Sequence, residues 1–389
     1  MTKSSVDIRE TLYELVKNYS DMGIHRVGTK VDKETINWFD EKLKALGAET
    51  ELQTFEFQRF EGKSKVLLNG KEIPSLPLYY EAIGEITTQT PHVVQVPVLK
   101  GDSTNPILED AILSAKAVGS ELLIVAVDNK VNQIASPNRA PELGSGLPVA
   151  LVQKEYYQPL KAAQGSTLKV HYNARMHACS SENIVGYFGK KGHNQKPILL
   201  ATPLSGWFNC AAERATGIAV AFSLAQRLSK EYPVMVVGSP GHEILNYIGV
   251  EAFAKQNDID PEIIIHLGAN VALGVKDPKS GEFKLAPGVN DASEIVDSGR
   301  SLYVRMNEDK FDLMKPALAT ADLPAVLNPS AWNGEAGIWS KESNAPLLSF
   351  VGTGPLFHTP MDVPENVTSQ QILAQIDNAI YLAIKAYME

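Results

Sequence analysis

The chain has 389 residues, 44% hydrophobic and 21% charged, with 36 Lys and Arg against 45 Asp and Glu and a formal net charge of −9. That acidic balance excludes nucleic acid and anionic membrane as default partners, and no run approaches the roughly 18 apolar residues of a membrane span. Two cysteines, Cys179 and Cys210, rule out a disulfide framework and point to a reducing, cytoplasmic setting. A small-molecule substrate is the partner these numbers favour, with a homo-oligomer left open.

Taken in chain order, residues 6–20 and 32–46 carry apolar positions at helical spacing, as at Ile36, Phe39, Leu43 and Leu46. The start of the chain, MTKSSVDIRETLYELV, is an amphipathic helix with acidic residues and does not have the pattern of a signal peptide. Gly47 is a stop, and ETELQTFEF then alternates as a half-buried strand. From about residue 93 the texture changes. VVQVPVL, a helix over 107–117, ELLIVAV, PVALV, a helix over 154–163 and STLKVHY make a compact α/β unit punctuated by Pro137, Pro141, Gly144 and Gly146. This reads as an insert over 81–174, leaving 1–80 and 175–389 as the core domain.

The core pattern resumes at NIVGYF (183–188) and KPILLAT (196–202). A helix over 211–229, the strand PVMVVG, a helix over 243–256 and the strand EIIIHLG follow. SLYVRM and PLLSF are later strands, and 369–387 is a closing amphipathic helix. Strands that alternate with helices and read as continuous Val/Ile/Leu runs predict an α/β fold, a mostly parallel sheet with helices on both faces. Ligands of such sheets sit beyond the carboxyl ends of the strands. Those ends carry ATPLSGW, GSPGHE and HLGAN. Four segments bring polar groups there: CAAERATG, GHE, GAN and LFHTPMD. Glu213, Glu243 and His358, from three separate segments, form a plausible set of oxygen and nitrogen ligands for one metal. Each alone has a plainer reading, as a helix-terminal charge or a turn residue.

The same segments carry a resemblance. HRVGTKVDKETINWFDEKLKALGAETELQTFEF, SENIVGYFGK, CAAERATGIAVAFSLAQRL, the GHE turn and LFHTPMDVPENV follow the order of the aminopeptidase-type zinc exopeptidase family, with the 81–174 unit similar to a protease-associated (PA) insert. The resemblance implies a two-zinc site, and this chain departs from it. The family's His-x-Asp becomes Thr202-Pro203-Leu204, Asp-Asn becomes Glu213-Arg214, Glu-Glu becomes His242-Glu243, and a late Asp becomes Gly268. Only His358-Thr359-Pro360-Met361-Asp362 is intact. One family zinc would fall on Thr202, Glu213 and Gly268, which cannot hold it. The other would fall on Glu213, Glu243 and His358, which can. The resemblance therefore implies a site reduced to one divalent metal, zinc by family habit, or to none.

His242 stands where the family has its general-base Glu, and an imidazole can exchange a proton near neutral pH. Two carboxylates such as Glu213 and Glu243 also need a positive partner, which Arg214 can supply by neutralising Glu213 or by binding an anionic substrate group. Thr202, Trp207, Trp332 and Glu335 are candidate pocket residues, and Asp362 is a candidate support for His358, with a turn cap as its alternative. His266 lies two residues before Gly268 on the same strand face, set back by about 7 Å at strand rise. These residues favour a hydrolase-type or lyase-type enzyme that uses His and Glu acid–base chemistry on a small polar, amino-acid-like or amide-like substrate. The alternatives are a non-catalytic binding protein on a peptidase fold and an orthodox two-zinc aminopeptidase.

Overall fold

A computed structural model describes residues 8–97, 106–189, 195–290 and 298–389. The first two positions of the helix expected over 6–20, and the end of the strand expected over 93–99, lie outside the described residues. The strands are β1 (Glu49–Leu68), β2 (Lys71–Ile73), β3 (Leu76–Pro77), β4 (Gly84–Thr88), β5 (His92–Pro97) and β6 (Leu123–Asp128). They continue as β7 (Val149–Gln153), β8 (Leu168–Phe188), β9 (Ile198–Pro203), β10 (Val234–Ser239) and β11 (Ile263–Leu267). Last come β12 (Gly274–Lys276), β13 (Phe283–Leu285), β14 (Gly299–Arg305), β15 (Ala325–Leu327) and β16 (Leu347–Thr353).

Ten of these strands form one large sheet in the order β15-β14-β16-β11-β9-β10-β8-β1-β2, with β4 also on β8. The four central strands β16, β11, β9 and β10 run parallel, while β8 joins β10 and β14 joins β16 antiparallel. The expected α/β class is observed. Central strands buried on both faces favour apolar side chains on both, and β9 and β11 are buried along their whole length, with their polar Thr202 and His266 hydrogen-bonded. Alternate residues serve opposite faces. Ile198, Leu200, Ile263 and Ile265 pack with helices Ile8–Asp21, Lys30–Ala45, Thr216–Leu228 and Gln370–Met388. Leu199, Ala201 and Ile264 pack with Phe253 of helix Ile248–Gln256 and Trp339 of helix Ala336–Glu342.

β1 and β8 pair antiparallel over their length, from Glu49 opposite Tyr187 to Leu68 opposite Leu168. The two short strands expected at STLKVHY and NIVGYF are therefore parts of one strand of 21 residues. Its middle, around Arg175–Glu182, is mostly exposed or half-buried and polar, so it carries no apolar signal to read. The boundary expected at 174/175 falls inside this strand. A second sheet, β3-β7-β6-β5, has its own core around Val96, Leu108, Ile112, Val125 and Leu151, and draws on residues 76–77 and 92–153.

Candidate active site

The site gathers where β9, β10, β11 and β16 end. After β10 the chain turns at Gly241, whose φ of +96° favours glycine, and presents His242 and Glu243. The helix expected over 243–256 begins only at Ile248. Asn246 and Tyr247 adopt left-handed φ values of 85° and 50°, which no helical run accommodates, so the GHE segment is a turn. Ser205, just past β9, pins it. Its Oγ accepts from the amides of Gly241 (2.6 Å) and His242 (3.3 Å) and donates to Oε2 of Glu243 (2.6 Å). Oε1 of Glu243 accepts from the Val27 amide at 2.7 Å. Burial raises the pKa of this carboxyl against the lowering effect of those donors.

Glu213 and Arg214 lie on a π-helical turn, Ala211–Ala215, that leads into helix Thr216–Leu228. Asp362 caps the turn: Oδ1 accepts from the Ala212 amide (2.7 Å) and Oδ2 from that of Glu213 (3.1 Å). The second-sphere role expected for Asp362 on His358 is thus replaced by its alternative, the cap. Burial, and then the charge of Glu213, push the Asp362 carboxyl up to about 7.

Oε1 of Glu213 lies 2.8 Å from Nη2 of Arg214 and 3.3 Å from Nε2 of His358. Neither contact is aligned as a hydrogen bond, so the Arg214 contact acts as charge on charge. Burial alone would raise the Glu213 carboxyl, but Arg214 and then His358 outweigh it and bring it down to about 2. Arg214 is fully buried, with Nε donating to the Ser205 carbonyl (2.7 Å) and Nη1 to that of Glu213 (3.1 Å).

Nδ1 of His242 lies 3.2 Å from Oε1 of Glu335, whose Oε2 accepts from the Ser239 hydroxyl at 2.9 Å. A carboxylate only accepts, so beside ionised Glu335 the proton sits on Nδ1 and Nε2 is the basic nitrogen. Burial, followed by the neighbouring Arg214, His266 and His358, lowers the His242 pKa well below the usual histidine range. His266 is closer to the site than strand rise suggests. Its Nδ1 meets the Ser349 hydroxyl at 2.8 Å, and its Cε1 stands 2.8 Å from where a side chain at Gly268 would begin. The ring spans the set-back and fills the space beside Gly268. Burial, then Arg214, bring its pKa down to about 3.

No protein-family model matches the chain, and no curated protein matches its sequence. Solved structures do match. BSAP, a zinc aminopeptidase from Bacillus subtilis, is 15% identical with a TM-score of 0.70, covering 98% of this chain and 95% of that one. The chain has the zinc-aminopeptidase fold. Two further structures agree: a peptidase M28 precursor from Shewanella amazonensis SB2B (14% identity, TM-score 0.63, 98% and 95% covered) and an aminopeptidase from Aneurinibacillus sp. strain AM-1 (14%, 0.61, 97% and 93%).

On this zinc-aminopeptidase fold the ligand set expected from sequence does not assemble. Glu213 meets His358, but Glu243 points both oxygens at Val27 and Ser205. Arg214 occupies the flank of Glu213 with a cation of its own. Among the described residues no group of three His, Cys, Asp or Glu is placed to hold a metal. These donors do not fit a resident metal ion.

The pocket candidates also separate. Glu335 is in the site. Thr202 donates to the Leu267 carbonyl at 3.1 Å and ties β9 to β11. Trp207 stacks on Tyr79 with centroids 4.6 Å apart and donates to Asn138. Trp332 packs on the cluster around Phe253 and Trp339. Ser205, Ser239 and Val27 went unread in the sequence, because nothing in a lone Ser or a backbone amide signals a partner far along the chain. A cavity of about 600 Å³ lined by Lys196, Asp258, Asp260 and Glu342 lies at the opposite ends of β9 and β11, away from this chemistry.

Proposed function

We propose that the chain is a metal-independent acid–base enzyme of hydrolase or lyase type acting on a small polar, amino-acid-like or amide-like substrate. The observation that carries the reading is the His242–Glu335–Ser239 relay. Glu335 orients the ring, and neutral His242 takes a proton from the substrate or from an attacking water and returns it to the leaving group. Burial, reinforced by the charge of Arg214, keeps His242 neutral. Peptide or amide hydrolysis is the chemistry named for the aminopeptidases that share the fold. A cytoplasmic location fits two cysteines that are both free, and the smaller sheet is read as a PA-like insert.

A second reading is a non-catalytic binding protein. It is favoured by the seal on the cluster: Glu335, Arg214 and His358 are at most 1% exposed, and the Glu213–Arg214 charges answer each other. Screening the purified chain against amino-acid amides, N-acyl amino acids and related small amides separates the two. Turnover abolished by His242→Ala, with the fold intact, supports the enzyme. No turnover across the panel, with ligand binding that survives His242→Ala, would establish the binding reading.

A further inference from the structure

The loop joining β6 to β7 carries residues 134–138, which have no regular structure yet are buried: Ile134 is 6% exposed, Ala135 2%, Ser136 0% and Asn138 3%. Loops normally run exposed, because their backbone groups need water. This one finds its partners in the site. The Ser136 amide donates to the carbonyl of His358 at 3.3 Å. Oδ1 of Asn138 accepts from Nε1 of Trp207 at 2.8 Å. The Arg139 amide donates to the carbonyl of Glu243 at 3.4 Å, and the Leu245 amide donates back to that of Arg139 at 2.7 Å. Four consecutive residues thus lie across three site loops.

The apolar anchors of this segment, Ile134 and Ala135, belong to the core of the smaller sheet. Its other anchor is ionic. The Arg139 guanidinium meets Glu81, whose buried carboxylate also accepts from the Ser145 amide at 2.7 Å, and Glu109 on helix Pro106–Ala117 of the smaller unit. The strap is therefore anchored away from the site and meets the site loops through these hydrogen bonds. Such contacts are individually weak, while the buried ion cluster that shapes the strap is sensitive to losing a partner.

We propose that residues 136–139 are a strap that closes the His242/His358 site, preorganised by the Arg139–Glu81–Glu109 cluster, and that small molecules reach the site when the strap lifts. This holds whether the site catalyses or only binds. Cys210, fully buried beside Glu213, reports the opening. In a Cys179→Ser background, reaction of Cys210 with a soluble aromatic disulfide is followed in the folded chain. The Arg139→Met/Glu81→Gln variant, which removes the cluster without stranding a charge on Glu81, is expected to label about tenfold faster or more at an unchanged Tm. Glu109→Gln, on the half-exposed arm, and a rise from low to high salt should each give a smaller increase of the same sign. If the double variant fails to fold, the Glu109→Gln and salt series decide by the same criterion. Labelling that stays at the parent rate overturns the proposal. So does labelling that rises only in step with amide exchange of the central strand β9, because that is global unfolding.

Discussion

Nδ1 of His242 and Oε1 of Glu335 meet at 3.2 Å although 93 residues separate them in the chain. The pair closes a relay that starts at Ser239, the last residue of β10, so a strand end sets both the imidazole and the carboxylate that orients it. Burial keeps the imidazole neutral, and the neighbouring Arg214 reinforces this. A buried, oriented, neutral histidine is what a general base requires.

Glu335→Gln should lower kcat/KM by about 100-fold or more, with the loss in kcat, because the ring keeps an acceptor but loses the negative charge that stabilises the imidazolium formed when it takes a proton. His242 has a depressed pKa, so the acidic limb of the pH–rate profile should lie below pH 6.5. A limb centred above that value would point to another base.

Arg214→Met should cost about 3–5 kcal/mol in urea unfolding, since it removes the larger of the two partners that hold buried Glu213 in its charged form. Glu213→Gln added to it should recover much of that loss. If the double variant is no more stable than Arg214→Met, the two residues do not form a coupled pair.

Asp362 links the site to pH. Its carboxyl titrates near 7 in the fold against an ordinary value of 3.8, so the folded state holds that proton more tightly than the unfolded state. The stabilisation is fully present below pH 3.8 and is lost as pH rises through 7. Asp362→Asn removes this titration, so the stability of the variant relative to the parent should increase between pH 5 and pH 8. Equal pH slopes for the two proteins in denaturant unfolding would refute the assignment.

Metal content tests the donor arrangement directly. Purified without a tag or chelator, the chain is expected to carry far less than one zinc, iron or manganese per molecule by elemental mass spectrometry, and EDTA should leave its Tm unchanged. One tightly held ion per chain, lost in Glu243→Ala/His358→Ala, would restore the one-metal arrangement that the sequence resemblance implies.

How far the sequence could be read depended on how local each signal was. The runs ILLAT, VMVVG and IIIHL are continuous because both faces of β9, β10 and β11 are covered, and each was placed to within two residues. The closing helix, read as 369–387, runs Gln370–Met388. By contrast, the long β1–β8 ribbon hides its continuity, because the middle of β8 is polar and mostly exposed or half-buried and carries no run of apolar residues. The helix read from 243 starts only at Ile248, because Asn246 and Tyr247 are left-handed and the Leu245 amide donates to the distant Arg139 carbonyl.

The sequence by itself therefore determined the layered α/β architecture and the strand ends where chemistry gathers. Period and composition report burial, and burial follows from the hydrophobic effect acting on each element in turn. It also marked Glu213, Arg214, His242, Glu243 and His358 as the residues at those ends. Only the tertiary structure decided which of them meet. Glu213 turned to Arg214 and His358, Glu243 to Ser205 and Val27, and His242 to Glu335. A side chain can meet a partner across the sheet at hydrogen-bond distance or miss it by one rotamer, and the spacing of residues along the chain carries no information about which occurs.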